Sequence, residues 1–280
     1  MKKITALKLQ TLIVGLLFLS YLSIGHARPG PALSADSELD YFIDYFSKDE
    51  FVLATEIFGE LEFSGITDTR LYNIVEKQFL KFSAVKSYEN SDITAWLSKA
   101  LAYSGQEKYL ATLKQVLKES PNRTLSNFKR HLNTSIERLP QHAIWNQEIV
   151  KNTDGLKGDE LYRQRTYNMI NASDSHLSML GARRVWFHFP TDPLYVKAVS
   201  EKLAADYNRD NLSRRDIDAI GWFCNVLGKS EDKSYTEQLN TIVELSDNRR
   251  IRNYAKKNIR ILNTEKRTGS NSPNQRNRRR

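Results

Sequence analysis

The chain is poor in the residues that punctuate or staple a fold. It has one cysteine, Cys224, so no disulfide can form within it, and it lies in the apolar run Trp222-Phe223-Cys224. That setting predicts a small buried hydrophobe, since no neighbouring base or metal partner would activate a thiol. Seven prolines in 280 residues stand mostly between periodic segments, and the twelve glycines form no phosphate loop, dinucleotide fingerprint or G-x-S-x-G elbow. Gly155 and Gly158 in GLKGD are expected to form a turn. No stretch alternates apolar and polar residues as a half-buried strand would. Helices joined by short turns are therefore predicted throughout.

Long apolar runs are also scarce. The one candidate, Thr11 to Ile24, follows Lys2, Lys3 and Lys8 and precedes Gly25 and Ala27. At about fourteen residues it is short for a membrane span, which needs roughly twenty, and it has the three-part form of a secretory leader. The expectation is a signal peptide over 1–27, cleaved after Ala27. It resembles a bacterial Sec leader, placing the mature chain in the periplasm of a Gram-negative cell without a transmembrane segment. Residues 28–38 are expected to be a flexible lead-in.

What is present is self-similarity. Asp92, Trp96, Leu101, Ser104, Tyr109, Leu113 and Asn122 stand 126 positions before Asp218, Trp222, Leu227, Ser230, Tyr235, Leu239 and Asn248. Ala54, Ile57 and Phe58 correspond to Ala182, Val185 and Trp186, and the helix opened by Asp68 corresponds to the one opened by Asp192. Repeats with this register mark units that bury a core only by stacking. The predicted fold is all-α, an α-solenoid of antiparallel helix pairs over 39–263. Two similar halves, 39–140 and 158–263, are offset by about 126 residues. Residues 140–174 join the halves, with a helix through Ile144, Trp145 and Ile149, and another through Leu161, Tyr167 and Ile170.

These paired segments have Asp-x-x-x-Trp opening one helix and a serine-bearing turn. Tyr-x-x-x-Leu then opens the partner, and NRTLSNFKRHL or NRRIRNYAKKN begins the next. In this the chain resembles bacterial HEAT-type, armadillo-like repeat proteins over roughly 39–263. It departs from them in having Phe128 and Tyr254 where shorter aliphatic residues are common. The resemblance implies a binding scaffold and names no partner.

Few groups suggest chemistry. Trp96 and Trp222 are expected in the core because they repeat. Asp92 and Asp218 are expected to cap the helices they open, and Tyr109 and Tyr235 to be structural. His131, His142, His176 and His188 have no metal-ligand spacing, and Asp174 and His176, two apart, would not share a helix face. No catalytic residue, cofactor or metal is predicted. Arg183-Arg184 and Lys256-Lys257 are expected to be solvated.

The net charge of +9 is unevenly placed. Residues 264–280 carry six basic residues and only Glu265, net +5, and the leader carries three lysines, leaving about +1 for the body. Nucleic acid is not the expected partner, because the positive field lies on a tail and not on a folded groove. The leading expectation is a non-enzymatic periplasmic scaffold that binds a protein on its solenoid surface. The alternative is an envelope-associated module held to a polyanion (anionic lipid, cell wall or nucleic acid) by the disordered basic tail. Its contacts would be Arg249, Arg250, Arg252, Lys266, Arg267, Arg276, Arg278, Arg279 and Arg280.

Overall fold

A computed structural model describes residues 35–48, 53–84, 88–120 and 126–264. The expected leader, residues 28–34 of the lead-in and the tail from Glu265 onward lie outside them, as do Asn122 and its neighbours. The described residues form twelve α-helices and no strand. In order they are α1 Ala35–Ser47, α2 Thr55–Glu62, α3 Thr69–Ala84, α4 Tyr88–Tyr103, α5 Lys108–Glu119 and α6 Ser126–Ile149. Then follow α7 Gly158–Ile170, α8 Ser175–His188, α9 Pro193–Asp206, α10 Arg214–Lys229, α11 Tyr235–Leu245 and α12 Arg249–Asn263. The all-helical expectation holds. α1 begins at Ala35, inside the stretch expected as lead-in.

Polar residues start several of these helices where free backbone N–H groups need acceptors. Asp192 accepts from the Leu194 N–H with Pro193 at the first helical position, and Asp68 accepts from the Arg70 N–H at 2.8 Å. Asp174 and Asn248 cap α8 and α12 in the same way. Asp92 and Asp218 do not. α4 begins at Tyr88 and α10 at Arg214, so both aspartates sit inside their helices. The cap of α10 is Ser213, in a reciprocal capping box with Asp216.

One turn recurs. After α2, α4 and α10 a serine hydroxyl donates back three residues (Ser64 to the Leu61 carbonyl, Ser104 to Leu101, Ser230 to Leu227). It then accepts the N–H two residues on. The residue after each serine is left-handed: Gly65 at φ 70°, Gly105 at φ 64° and Glu231 at φ 65°. This satisfies helix-end carbonyls and reverses the chain.

Packing follows the chain order. α3 packs on α4, α5 on α6, α7 on α8, α9 on α10 and α11 on α12. Alternate helices also meet, α2 on α4, α4 on α6, α8 on α10, α10 on α12, and α1 on α3. The apolar interior has two large clusters. One runs from Leu39 through Phe58, Tyr72, Leu97 and Tyr109 to Leu139, the other from Ile170 through Tyr195, Phe223 and Ile242 to Leu262. Cys224 lies wholly inside the second, where burial pushes its thiol up to about 12. A smaller cluster of Trp145, Ile149, Met169, Ala172 and Leu177 joins them.

That junction corrects the expected break at Pro140. α6 runs unbroken through Pro140 for 24 residues. An interior proline removes a backbone bond at about 3 kcal/mol. The segment beyond it buries Trp145 and Ile149, and Asn146 donates its amide to the Tyr103 carbonyl at 2.8 Å, which together offset that loss.

Candidate functional site

The even-numbered helices bear the groups of most chemical interest. They carry fifteen Lys and Arg against nine Asp and Glu. The odd-numbered helices carry ten against twelve. All of the excess on the even-numbered helices lies on α12, which has six basic and no acidic residues; the other five even-numbered helices together carry nine of each sign.

Two aromatic pairs anchor the even-numbered helices. Phe58 of α2 meets Trp96 of α4 with centroids 5.5 Å apart, and Trp186 of α8 meets Trp222 of α10 at 6.0 Å. The indoles are not core residues as expected. Trp96 and Trp222 are half-buried, packed on the core by one part and reached by cations on the other. Lys99, one turn beyond Trp96, sits 3.8 Å above its ring. Arg183 lies 5.3 Å from the Trp222 centroid. Lys229 lies 3.9 Å over Trp186 and donates to its carbonyl at 2.9 Å. Each contact holds a long flexible cation against a π face, worth about 0.5–2 kcal/mol.

Between the pairs stands Glu62, at the last position of α2. Burial raises its carboxyl above the usual range, against the pull of Arg138, Lys99, the Tyr103 hydroxyl and Arg183. Its side chain is closely surrounded but still reaches solvent. No Lys or Arg nitrogen lies within 4 Å of it among the described residues, and the same holds for Lys99, Arg138 and Arg183 with respect to carboxylates. Four helices thus bring three cations around one acid without closing an ion pair. Burial likewise lowers the Lys99 ammonium.

Beneath this cluster His142, Trp145 and His176 stack. The His142 and Trp145 rings are 4.8 Å apart edge to face, and Trp145 and His176 are parallel at 5.3 Å. His142 is buried and neither ring nitrogen has a hydrogen-bond partner among the described residues. Burial, then Arg138 and His176, pushes it down to about 3, so it is neutral at ordinary pH. His176 is lowered chiefly by burial, and Asp174 accepts its backbone N–H as a cap. His131 is half-buried and lowered, again mainly by burial. His188 is exposed. No three of the described His, Cys, Asp and Glu side chains converge as a metal site would require. A shallow cleft lined by Leu156, Arg163, Tyr167 and Leu194 lies along α7 and includes none of these groups.

Arg184 also departs from expectation. It is buried, its guanidinium 3.5 Å from the Tyr162 ring centroid and 5.4 Å from that of Phe63, with Nη2 3.9 Å from Glu60. With Arg165, which bonds Glu38 at 2.7 Å, it ties α7 and α8 to α1 and α2. Arg183, the neighbour on the other face, is exposed as expected.

The arginines predicted for anion contact divide in two. Arg249 is exposed at the start of α12. Arg250 pairs with Asp218 at 2.9 Å, and Arg252 donates to the Ser246 and Asp247 carbonyls at 2.7 and 2.8 Å, capping α11. Lys266, Arg267, Arg276, Arg278, Arg279 and Arg280 lie outside the described residues. Sequence reasoning missed Glu62, Lys99 and Arg138. Only the three-residue spacing of Trp96 and Lys99 hinted at any of them, because their meeting depends on helices far apart in the chain. No protein-family model, curated protein or solved structure matches this chain.

Proposed function

We propose that this protein is a HEAT-like α-solenoid scaffold, exported through its leader to the periplasm, that binds a protein partner along α4, α6, α8 and α10. The observation that carries the reading is a set of half-buried indoles, Trp96 and Trp222, beside the unpaired cations Lys99, Arg138 and Arg183. Aromatic anchors beside arginines are the composition of an interface centre. The three cations Lys99, Arg138 and Arg183 around the single carboxylate of Glu62 would steer an acidic partner toward it.

Matched contacts support the solenoid of two similar halves. Phe58–Trp96 answers Trp186–Trp222. A Thr112 hydroxyl donates to Glu76 between α3 and α5, and 124–126 positions later Ser200 donates to Gln238 between α9 and α11. The serine turns repeat in the same register. No catalysis and no cofactor enter this reading.

The test is in-cell crosslinking of a tagged protein, comparing the full chain, a chain ending at Asn263 and a Lys99→Glu/Arg183→Glu variant. One protein captured by the first two and lost from the third is the expected result. Capture undiminished in the variant would move the interface elsewhere, and capture lost with the tail would favour the envelope tether. Export is checked by N-terminal sequencing, with Arg28 expected as the first residue.

A further inference from the structure

We infer that the outer face of α12 is a docking surface for anionic phospholipid headgroups, independent of the interface proposed above. α12 buries Ile251, Ala255, Asn258 and Leu262 on α10 and α11. At 100° per residue the opposite side aligns Arg249, Asn253, Lys256, Lys257 and Arg260 within about a 100° arc, a stripe about 16 Å long. All five are exposed, and α12 contains no acidic residue. The four cations make no ion pair within 4 Å among the described residues, unlike Arg250 beside them.

The chemistry of the stripe selects its occupant. A protein interface would need an aromatic or aliphatic anchor at its centre, and the stripe has none. A single-stranded nucleic acid would need stacking rings. The only aromatic of α12, Tyr254, turns inward, so close to α10 that a Cβ on Gly221 would come within 2.7 Å of its ring. What remains is a row of cations with half-exposed Ile261 at its border, which suits a plane of phosphate headgroups with acyl chains beneath. In sequence the chain continues into Lys266, Arg267, Arg276, Arg278, Arg279 and Arg280, of the same sign. This differs from attachment through the tail alone, because the attracting groups are fixed on a folded helix.

The experiment is co-sedimentation of the mature chain with vesicles of phosphatidylglycerol in phosphatidylcholine, and with phosphatidylcholine alone. Binding to the first only, released by high salt, is expected. Each basic residue near an anionic surface contributes roughly fivefold, so Lys256→Gln/Lys257→Gln/Arg260→Gln with the tail intact should weaken partitioning roughly a hundredfold. A chain ending at Thr264 with the stripe intact should still bind. Matching circular dichroism would exclude misfolding of these surface variants. Undiminished binding by the triple variant, equal binding to neutral vesicles, or displacement by an equal charge of duplex DNA would each overturn the proposal.

Discussion

The turn that ends α4 and the turn that ends α10 are built alike and covered differently. Both place a serine hydroxyl on the carbonyl three residues back and a left-handed residue next. After α4 that residue is Gly105, and a Cβ there would stand 2.4 Å from the backbone nitrogen of Ala143, because α6 runs on past Pro140 and lies across the turn. After α10 it is Glu231, exposed, because α12 stops at Asn263, near the position matching Leu139 of α6. The same local device therefore meets two fates. Where the following helix is extended it needs glycine and becomes part of the junction between the two cores. Where that helix ends, solvent tolerates a side chain at the cost of left-handed strain.

The extension of α6 is the place to break this contrast. Trp145→Ala should cost about 3–5 kcal/mol, since a fully buried indole leaves a cavity at the junction. Denaturant unfolding followed by the remaining tryptophans should separate into two transitions as the two cores lose their link. A single transition at unchanged midpoint would mean that α6 does not couple them.

The turns come next in size. Gly105→Ala adds a Cβ both against α6 and in the left-handed region and should cost about 2–4 kcal/mol. Thermal denaturation measures it, and a loss under about 1 kcal/mol would show that the α6 crossing yields easily.

Acid tests the same junction from within. His142 takes its proton only near pH 3 when folded and near 6.5 when unfolded. Below 6.5 the unfolded chain therefore binds more protons, and stability that is complete above 6.5 falls by about 1.4 kcal/mol per pH unit. The loss between pH 7 and pH 5 should be about 2 kcal/mol. His176, Arg138 and Tyr103 flank the ring, and His176, lowered in the same sense, adds to the slope. His142→Phe should flatten this part of the stability profile, and an unaltered profile would assign the slope to other groups.

The smallest effect sharpens the comparison from the other side. Glu231→Gly should raise stability by about 1 kcal/mol, because glycine adopts φ 65° without strain. A change of opposite sign to Gly105→Ala is the signature of one turn under two covers.

Local signals were legible wherever one helix sufficed. Asp68 and Asp192 open their helices, Cys224 is buried, and Leu101, Leu113 and Leu239 lie at zero exposure as their spacing requires. Asp92 and Asp218 misled because each stands near the start of a matching stretch while its helix begins four residues earlier. Pro140 misled because local cost favours a break there, whereas burial of Trp145 and Ile149 further on favours continuity. Arg184 looks as solvated as Arg183 in sequence, yet the two point to opposite sides of α8, one onto Tyr162 and the other toward Trp222.

By itself the sequence determined an all-helical chain with a repeated register, because three-and-four spacing and capping residues act within one or two turns. Tertiary structure alone decided that Glu62 would meet Lys99, Arg138 and Arg183, and that Arg250 and Arg252 would be engaged while Arg249, Lys256, Lys257 and Arg260 stay exposed. Charge pairing falls off over a few ångströms, and the distances that matter lie between helices whose separation in the chain carries no period.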